Sequence, residues 1–321
     1  MKRNSGSILI TTLWIMAILG LLAMGTGFHA SLEARLARYS LDRLEARYLA
    51  NAGVVKAVYF LTKDDNDYDT LYECGIKLKT GESAEGIFGE QPVELSGKES
   101  GRSFSVRYTR KEGGEEKTYY GMEDEQAKIN INMLQLSPDN LDEYRRILSQ
   151  LSGELNTYII NAMIIWQDKD QAASLPPLPE SEFLTSSKDG NFDCIEELML
   201  VKGMTPEIFD KIKDNITVHG NGKINANTAS VEVLKAVIDD DSTVDKIVNC
   251  RKNKAISKFS DILDLSSTEL GLLTSSPVIV KSDYFRITSY GKVLNRMTKT
   301  ISCVVMRNGK EKPKLLEYRE E

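Results

Sequence analysis

From Ser7 to Phe28 the chain runs for twenty-two residues without a charged side chain, and two cations, Lys2 and Arg3, stand just ahead of that run. A helix of this length rises roughly 33 Å, enough to cross a hydrocarbon core of about 30 Å, so the segment reads as a transmembrane helix with its cationic leader on the cytoplasmic side. Its small or weakly polar residues, Thr11, Thr12, Gly20, Gly25 and Thr26, can pack against neighbouring helices inside a bilayer. A secretory signal peptide carries its small-residue cleavage site after the apolar stretch. Here Ser5-Gly6-Ser7 precedes it, and a cut between Gly6 and Ser7 removes the cations but leaves the apolar helix on the mature chain. The plainer reading of the segment is an uncleaved single-pass anchor.

Helical periodicity continues through Ser31–Leu61. Leu32, Leu36, Tyr39, Tyr48, Val55 and Tyr59 recur at spacings near three and four and predict the packed face, while Glu33, Arg35, Arg38, Asp42, Arg43, Glu45, Arg47 and Lys56 supply the wet ones. Gly53 lowers helix propensity by up to about 1 kcal/mol relative to Ala, which such a pattern tolerates. The expected product is one long helix, half in lipid and half on a globular head.

Some 290 residues, roughly, remain outside the membrane, enough for two ordinary domains. With 47 acidic and 41 basic side chains the formal charge is −6, which is not the balance of a dedicated nucleic-acid binder. The four cysteines, at 74, 194, 250 and 303, have no C-x-x-C spacing and histidine is scarce, so a zinc site is not expected. An extracytoplasmic location permits disulfides, but the spacing does not give a pairing.

The head divides by pattern. Ser103–Tyr108 alternates as a half-buried strand does, Lys117–Gly121 and Lys128–Ile131 read as short strands, and strand character returns in Tyr284–Tyr290 and Thr300–Met306. Between these sets lies a helical region. The expected fold is therefore α+β: a long N-terminal helix on a small antiparallel sheet, with a large all-α insertion. The expected boundaries are a leader at 1–6, a transmembrane helix at 7–28, its continuation at 29–61, a head from 62–136 and 276–321, and an insertion at 137–275.

Within the insertion, Gly203 can turn the chain, Thr205 can cap a helix, Pro206 suits its first position and Glu207 its positive end. Asn225-Ala226-Asn227-Thr228-Ala229-Ser230 precedes a second helix. These pieces resemble helix-hairpin-helix or SAM-like modules. Asp193, Glu196, Glu197, Glu207 and Asp210 surround the Gly203 turn with like charge that opposes a phosphate backbone, which favours packing over nucleic-acid contact. The two histidines, His29 and His219, lie far apart, neither has a nucleophile beside it, and there is no G-x-S-x-G or phosphate-cradling motif, so no enzyme activity is expected. One segment offers metal chemistry. Asp168 and Asp170 alternate after Trp166, and a proline-rich return can bring Glu180 or Glu182 back toward them; such hard oxygen ligands suit calcium. A solvated acidic loop is the alternative.

Lys2-Arg3-Asn4-Ser5-Gly6, Ala50-Asn51-Ala52-Gly53, Asp124–Asn132, Trp166–Asp170, Val201-Lys202-Gly203-Met204 and Lys223–Ser230, taken together and in this order, resemble the general secretion pathway protein K family, the large minor pseudopilins of type II secretion. The resemblance implies a prepilin-type leader cut after Gly6 by a prepilin peptidase, with methylation of the new amine on Ser7. It implies a pilin-like sheet and a SAM-like insertion. The implied location is the inner membrane, with the bulk of the chain in the periplasm and, after assembly, at the pseudopilus tip. The implied partners are the small minor pseudopilins I and J, extending to H and the major pseudopilin G, and the inner-membrane secretion platform, with no nucleic acid. Thr11 stands where most pilins place a glutamate, a departure that suits a topmost subunit. The family's calcium-associated region resembles Trp166–Phe183, with Asp168 and Asp170 matching, although its usual glycine-alanine-glutamate-aspartate is replaced by Pro179-Glu180-Ser181-Glu182. A minor pilin of a related type IV or DNA-uptake fibre is the second reading of the same residues.

Overall fold

The computed structural model describes residues 5–95, 98–112, 114–132, 141–168, 187–294, 297–309 and 311–321. Helix α1 spans Ser5–Lys63 without a break. Every residue from Leu9 to Leu41 is exposed, and this is the one helix among the described residues long and apolar enough to cross a membrane. Hydroxyls in the apolar stretch are satisfied by the helix itself, Thr12 Oγ1 donating to Leu9 O at 2.9 Å and Thr26 Oγ1 to Ala23 O at 3.0 Å. That arrangement spares these two hydroxyl protons from solvation by lipid.

The C-terminal half of α1 packs by a face other than the one its large apolar residues predict. Ala46, Leu49, Ala50, Gly53, Ala57 and Leu61 are buried, whereas Leu32, Leu36, Tyr39, Tyr48, Val55 and Tyr59 are all exposed. Small residues win because they let the helix axis approach the sheet closely. A Cβ added at Gly53 would strike Ser289 Oγ, and one added at Gly291 would overlap the backbone of Ala46 and Ala50.

After the short helix α2 (Ala84–Phe88) come strands β1 (Gln91–Leu95), β2 (Lys98–Glu112), β3 (Glu115–Tyr120) and the two-residue β4 (Glu123–Asp124). The chain then leaves for the helical insertion, which is framed by the two-residue strands β5 (Ile129–Asn130), β6 (Ile216–Thr217), β7 (Ile224–Asn225) and β8 (Val278–Ile279). It returns as β9 (Tyr284–Val293), β10 (Met297–Met306) and β11 (Lys314–Glu320). The head sheet has the order β1-β2-β9-β10-β11, with β3 added on β2 and β4 on β9. The element-to-element pairings within it are antiparallel, and β9, although it comes after the insertion, sits at the centre against α1. Within Lys128–Ile131, which the sequence places as a short strand of the head, Ile129–Asn130 instead pairs in parallel with Ile216–Thr217 at the base of the insertion.

The insertion is one unit repeated twice. Lys128-Ile129-Asn130-Ile131-Asn132 opens the first copy and Lys223-Ile224-Asn225-Ala226-Asn227 the second. Each opening strand pairs in parallel with the closing strand of its own copy, β5 with β6 and β7 with β8. Helices Leu141–Leu151, Thr157–Gln167 and Pro206–Ile212 in repeat one correspond to Val231–Ile238, Asp241–Asn253 and Ser267–Ser275 in repeat two. The second asparagine of each motif makes the same bonds. Asn132 donates to Phe192 O at 3.0 Å and Val218 O at 3.2 Å and accepts from Phe192 N at 2.9 Å. Asn227 donates to Ile256 O at 2.9 Å and Val280 O at 3.4 Å and accepts from Ile256 N at 2.9 Å. A buried amide that satisfies both its ends this way ties the opening strand to the chain that follows the second helix, at Phe192 in repeat one and Ile256 in repeat two. Both repeats share a single apolar core, separate from the core between α1 and the sheet.

Candidate assembly helix, metal loop and head–insertion seam

Gly6 and Ser7 lie in the first turn of α1 and Thr11 on its exposed surface, one helical turn beyond. Farther along, Leu41, Leu44, Tyr48, Val55 and Tyr59 form an exposed apolar stripe. At 3.6 residues per turn it lies about 180° around the helix from the Ala46–Ala57 face that holds the sheet. The side chains between the two faces are engaged by the head's flanks: Arg47 with Glu320 at 2.7 Å on one side, Arg102 with Glu45 at 2.8 Å on the other. The sheet thus fixes the rotation of α1 and aims the stripe outward.

Of the four carboxylates expected to bind calcium, Asp168 alone falls among the described residues. It ends the helix Thr157–Gln167, where its N–H donates to Ile164 O at 2.9 Å. Asp170, Glu180 and Glu182 lie outside the described residues. Among the described residues no group of three or more His, Cys, Asp or Glu side chains is placed to hold a metal ion. The run Asp239-Asp240-Asp241 is used for capping: Asp239 takes the left-handed position at φ 53 after helix Val231–Ile238, and Asp240 accepts from Thr243 N at 2.8 Å. Asp241 pairs with Lys235 at 2.8 Å. All four cysteines are free, and burial pushes the thiols of Cys74 and Cys303 up, the latter to about 11.

The Gly203 turn forms as its residues predict. Its φ of +88° requires glycine, Thr205 caps the next helix and Pro206 opens it. A Cβ at Gly203 would sit 3.0 Å from Tyr158, so the turn packs against the preceding helix of its own repeat. Repeat two places Asp264, at φ 62, in the corresponding turn before Ser266, which caps with Glu269 as a capping box.

Sequence reasoning missed the seam where insertion meets head. Asp124, in β4, is buried and accepts from Gln126 N at 2.8 Å, Asn225 Nδ2 at 3.0 Å, Thr228 Oγ1 at 2.6 Å and Ser282 Oγ at 2.6 Å. Beside it Asp69 accepts from Gly75 N at 2.7 Å and Ser282 N at 2.8 Å. Arg307 reaches Asp64 at 2.8 Å and Asp69 at 3.1 Å, all three side chains being nearly inaccessible. Burial outweighs Arg307 and those hydrogen bonds and pushes the Asp69 carboxyl up to about 7. Next to this, burial alone would raise Glu125, but Lys128, Arg286 and the Thr217 hydroxyl hold it low, at about 2. His219 binds Glu317 of β11 at 2.7 Å and extends the seam to the sheet edge. The K-I-N-x-N repeat was legible as a signal for half of this arrangement; nothing local marks Asp69 or Arg307.

The family model described as type II secretion system (T2SS), protein K, matches residues 127–221, which spans repeat one from its opening K-I-N-x-N motif to just past its closing strand Ile216–Thr217. No curated protein matches the chain. A chain from the solved GspK-GspI-GspJ complex of the type 2 secretion system of enterotoxigenic Escherichia coli aligns over 89% of this chain and 99% of its own, with a TM-score of 0.59 and 17% identity. At that identity the likeness is one of fold.

Proposed function

We infer that this chain belongs to the protein K family of type II secretion and acts as a minor pseudopilin of the secretion pseudopilus. One combination carries the reading: a protein K match over repeat one, in a chain whose uncharged N-terminal helix continues, unbroken, onto a pilin-like sheet. Before assembly the segment through Phe28 lies in the inner membrane and the head and insertion in the periplasm. At the tip, the chain joins two smaller pseudopilins, the counterparts of GspI and GspJ in the solved complex. Their helices run along the stripe of Leu41, Leu44, Tyr48, Val55 and Tyr59, which is continuous with the membrane segment and therefore accessible to a helix anchored in the same bilayer. The insertion suits a fibre end, since a repeating heterologous contact would have to accommodate it at every step. Thr11 supports the same position, because a subunit with none above it has no terminal amine to neutralise.

Processing tests the reading on this chain alone. In cells with active prepilin peptidase the mature protein should begin at Ser7 with a methylated amine, and intact-mass analysis reads both changes. Gly6→Val should leave Met1–Gly6 attached. Retention of the leader on the native protein would sink the pseudopilin reading.

Calcium bound by Asp168 and Asp170, with Glu180 or Glu182, belongs to the same reading. Ion binding to the native state alone would stabilise it by mass action, so calcium should raise the melting temperature of the chelator-treated protein by several degrees, and magnesium by less. Asp170→Asn should abolish the response. Identical melting in calcium, magnesium and chelator would remove the ion from this loop.

A further inference from the structure

We propose that Asp124, Thr228 and Ser282 form a docking lock by which repeat two, and through it the whole insertion, is fixed on the pilin-like sheet. The two copies of the unit differ at their contacts with the head. The first asparagine of each motif sits at the same place, yet Asn130 donates to Gly220 O at 2.8 Å and so closes its own repeat. Asn225 meets Ser282 Oγ of its own repeat at 2.9 Å but also reaches outward to the head, to Asp124 Oδ2 at 3.0 Å and Asp69 O at 3.2 Å. Ser282 stands four residues after Val278 as Gly220 stands four after Ile216, and Thr228 follows Asn227 as Met133 follows Asn132. Repeat two therefore carries hydroxyls at two positions where repeat one has glycine and methionine. Both hydroxyls donate to one oxygen of Asp124, at 2.6 Å each.

Neither hydroxyl is needed to build the repeat, because repeat one closes its strands and seats Asn132 without them. What they do is receive the head. Asp124 is held by β4, which pairs with Phe285 and Arg286 of the central strand β9, so a bond to its carboxylate is a bond to the sheet that carries α1. Charge-assisted hydrogen bonds to a buried carboxylate are strong and directional. Three donors from repeat two converging on one buried carboxylate thus set the direction in which the insertion leaves the head. This assignment does not depend on the partners or location of the chain.

Amide hydrogen exchange of the full chain in detergent tests the lock, with Thr228→Val combined with Ser282→Ala. The substitutions remove both hydroxyls while keeping shape close to native. Two sets of amides are compared. Ser282 N–H, bound to Asp69, and Asp283 N–H, bound to Gln126 Oε1, cross the seam. Ala226 N–H, bound to Ile279 O, and Ile256 N–H, bound to Asn227, are internal to repeat two. The seam set should exchange about tenfold or more faster, with the internal set unchanged. Asp124→Asn, which attacks the lock from the head side, should give the same split. Equal acceleration of both sets, the result of a merely structural contribution to the repeat, overturns the proposal, and so does unchanged exchange at Ser282 and Asp283.

Discussion

Gly291→Val is expected to destabilise the head by about 3 kcal/mol or more, seen as a large fall in the denaturant midpoint of the detergent-solubilised chain. The reason is geometric. Gly291 lies in the central strand β9 directly under α1, and a Cβ there would overlap the carbonyl oxygen of Ala46 and the amide nitrogen of Ala50. Those are backbone atoms of a helix, which no rotamer change can move aside. Relief requires lifting α1 from the sheet, which empties the contacts of Ala46, Leu49 and Val293 and turns the apolar stripe out of its set direction. A Gly291→Val variant with the native midpoint would show that α1 is not seated on β9.

Arg307→Leu should also cost several kcal/mol, in the range of about 3–5 for breaking a buried pair, because two carboxylates lose their cation together. Asp64 and Asp69 would remain with side chains shut off from water. The deficit should depend on pH in a defined sense. Burial already raises the Asp69 pKa to about 7 from an ordinary value of 3.8, so between those values the native state binds more protons than the unfolded one. Stability from this group is greatest below its unfolded pKa and is lost as pH rises through the folded one. Losing Arg307 raises the folded pKa further, so the variant should recover part of its deficit between about pH 7.5 and 5.5. A deficit that grows on acidification over that interval would mean Arg307 does not act through these carboxylates.

The features legible in the sequence were those with local causes. The uncharged run ahead of an amphipathic stretch yields one helix, and the Gly203, Thr205 and Pro206 turn forms as their backbone and capping preferences require. Strand character marked β9 and β10, and β9 has the clear alternation of inward and outward rows. The periodicity of the large apolar residues misleads. Tyr48, Val55 and Tyr59 recur at helical spacing and so predict the packed face, yet a helix lying close on a sheet needs Ala46, Ala50, Gly53 and Ala57, whose signal is the absence of bulk. β11, exposed along nearly its whole length, has no apolar row to reveal it. The duplication was present in plain residues, K-I-N-x-N at 128 and again at 223, but was obscured because repeat one has a long connection between its second helix and Phe192 where repeat two closes within three residues of Asn253. The seam was the least legible part, since Asp69, Asp124, Ser282 and Arg307 come from four separate stretches and meet only in the fold.

The central claim, that this chain assembles as a minor pseudopilin, is tested most directly by native mass spectrometry of the full chain extracted from cells that also express the small minor pseudopilins of its own secretion system. The account predicts a complex containing one copy of this chain, processed to Ser7, with one copy of each of two smaller subunits, and its loss in a variant carrying Leu44→Lys and Tyr48→Lys on the exposed stripe. Recovery of this chain alone, or as a homopolymer, with both smaller subunits present and processed, would contradict it.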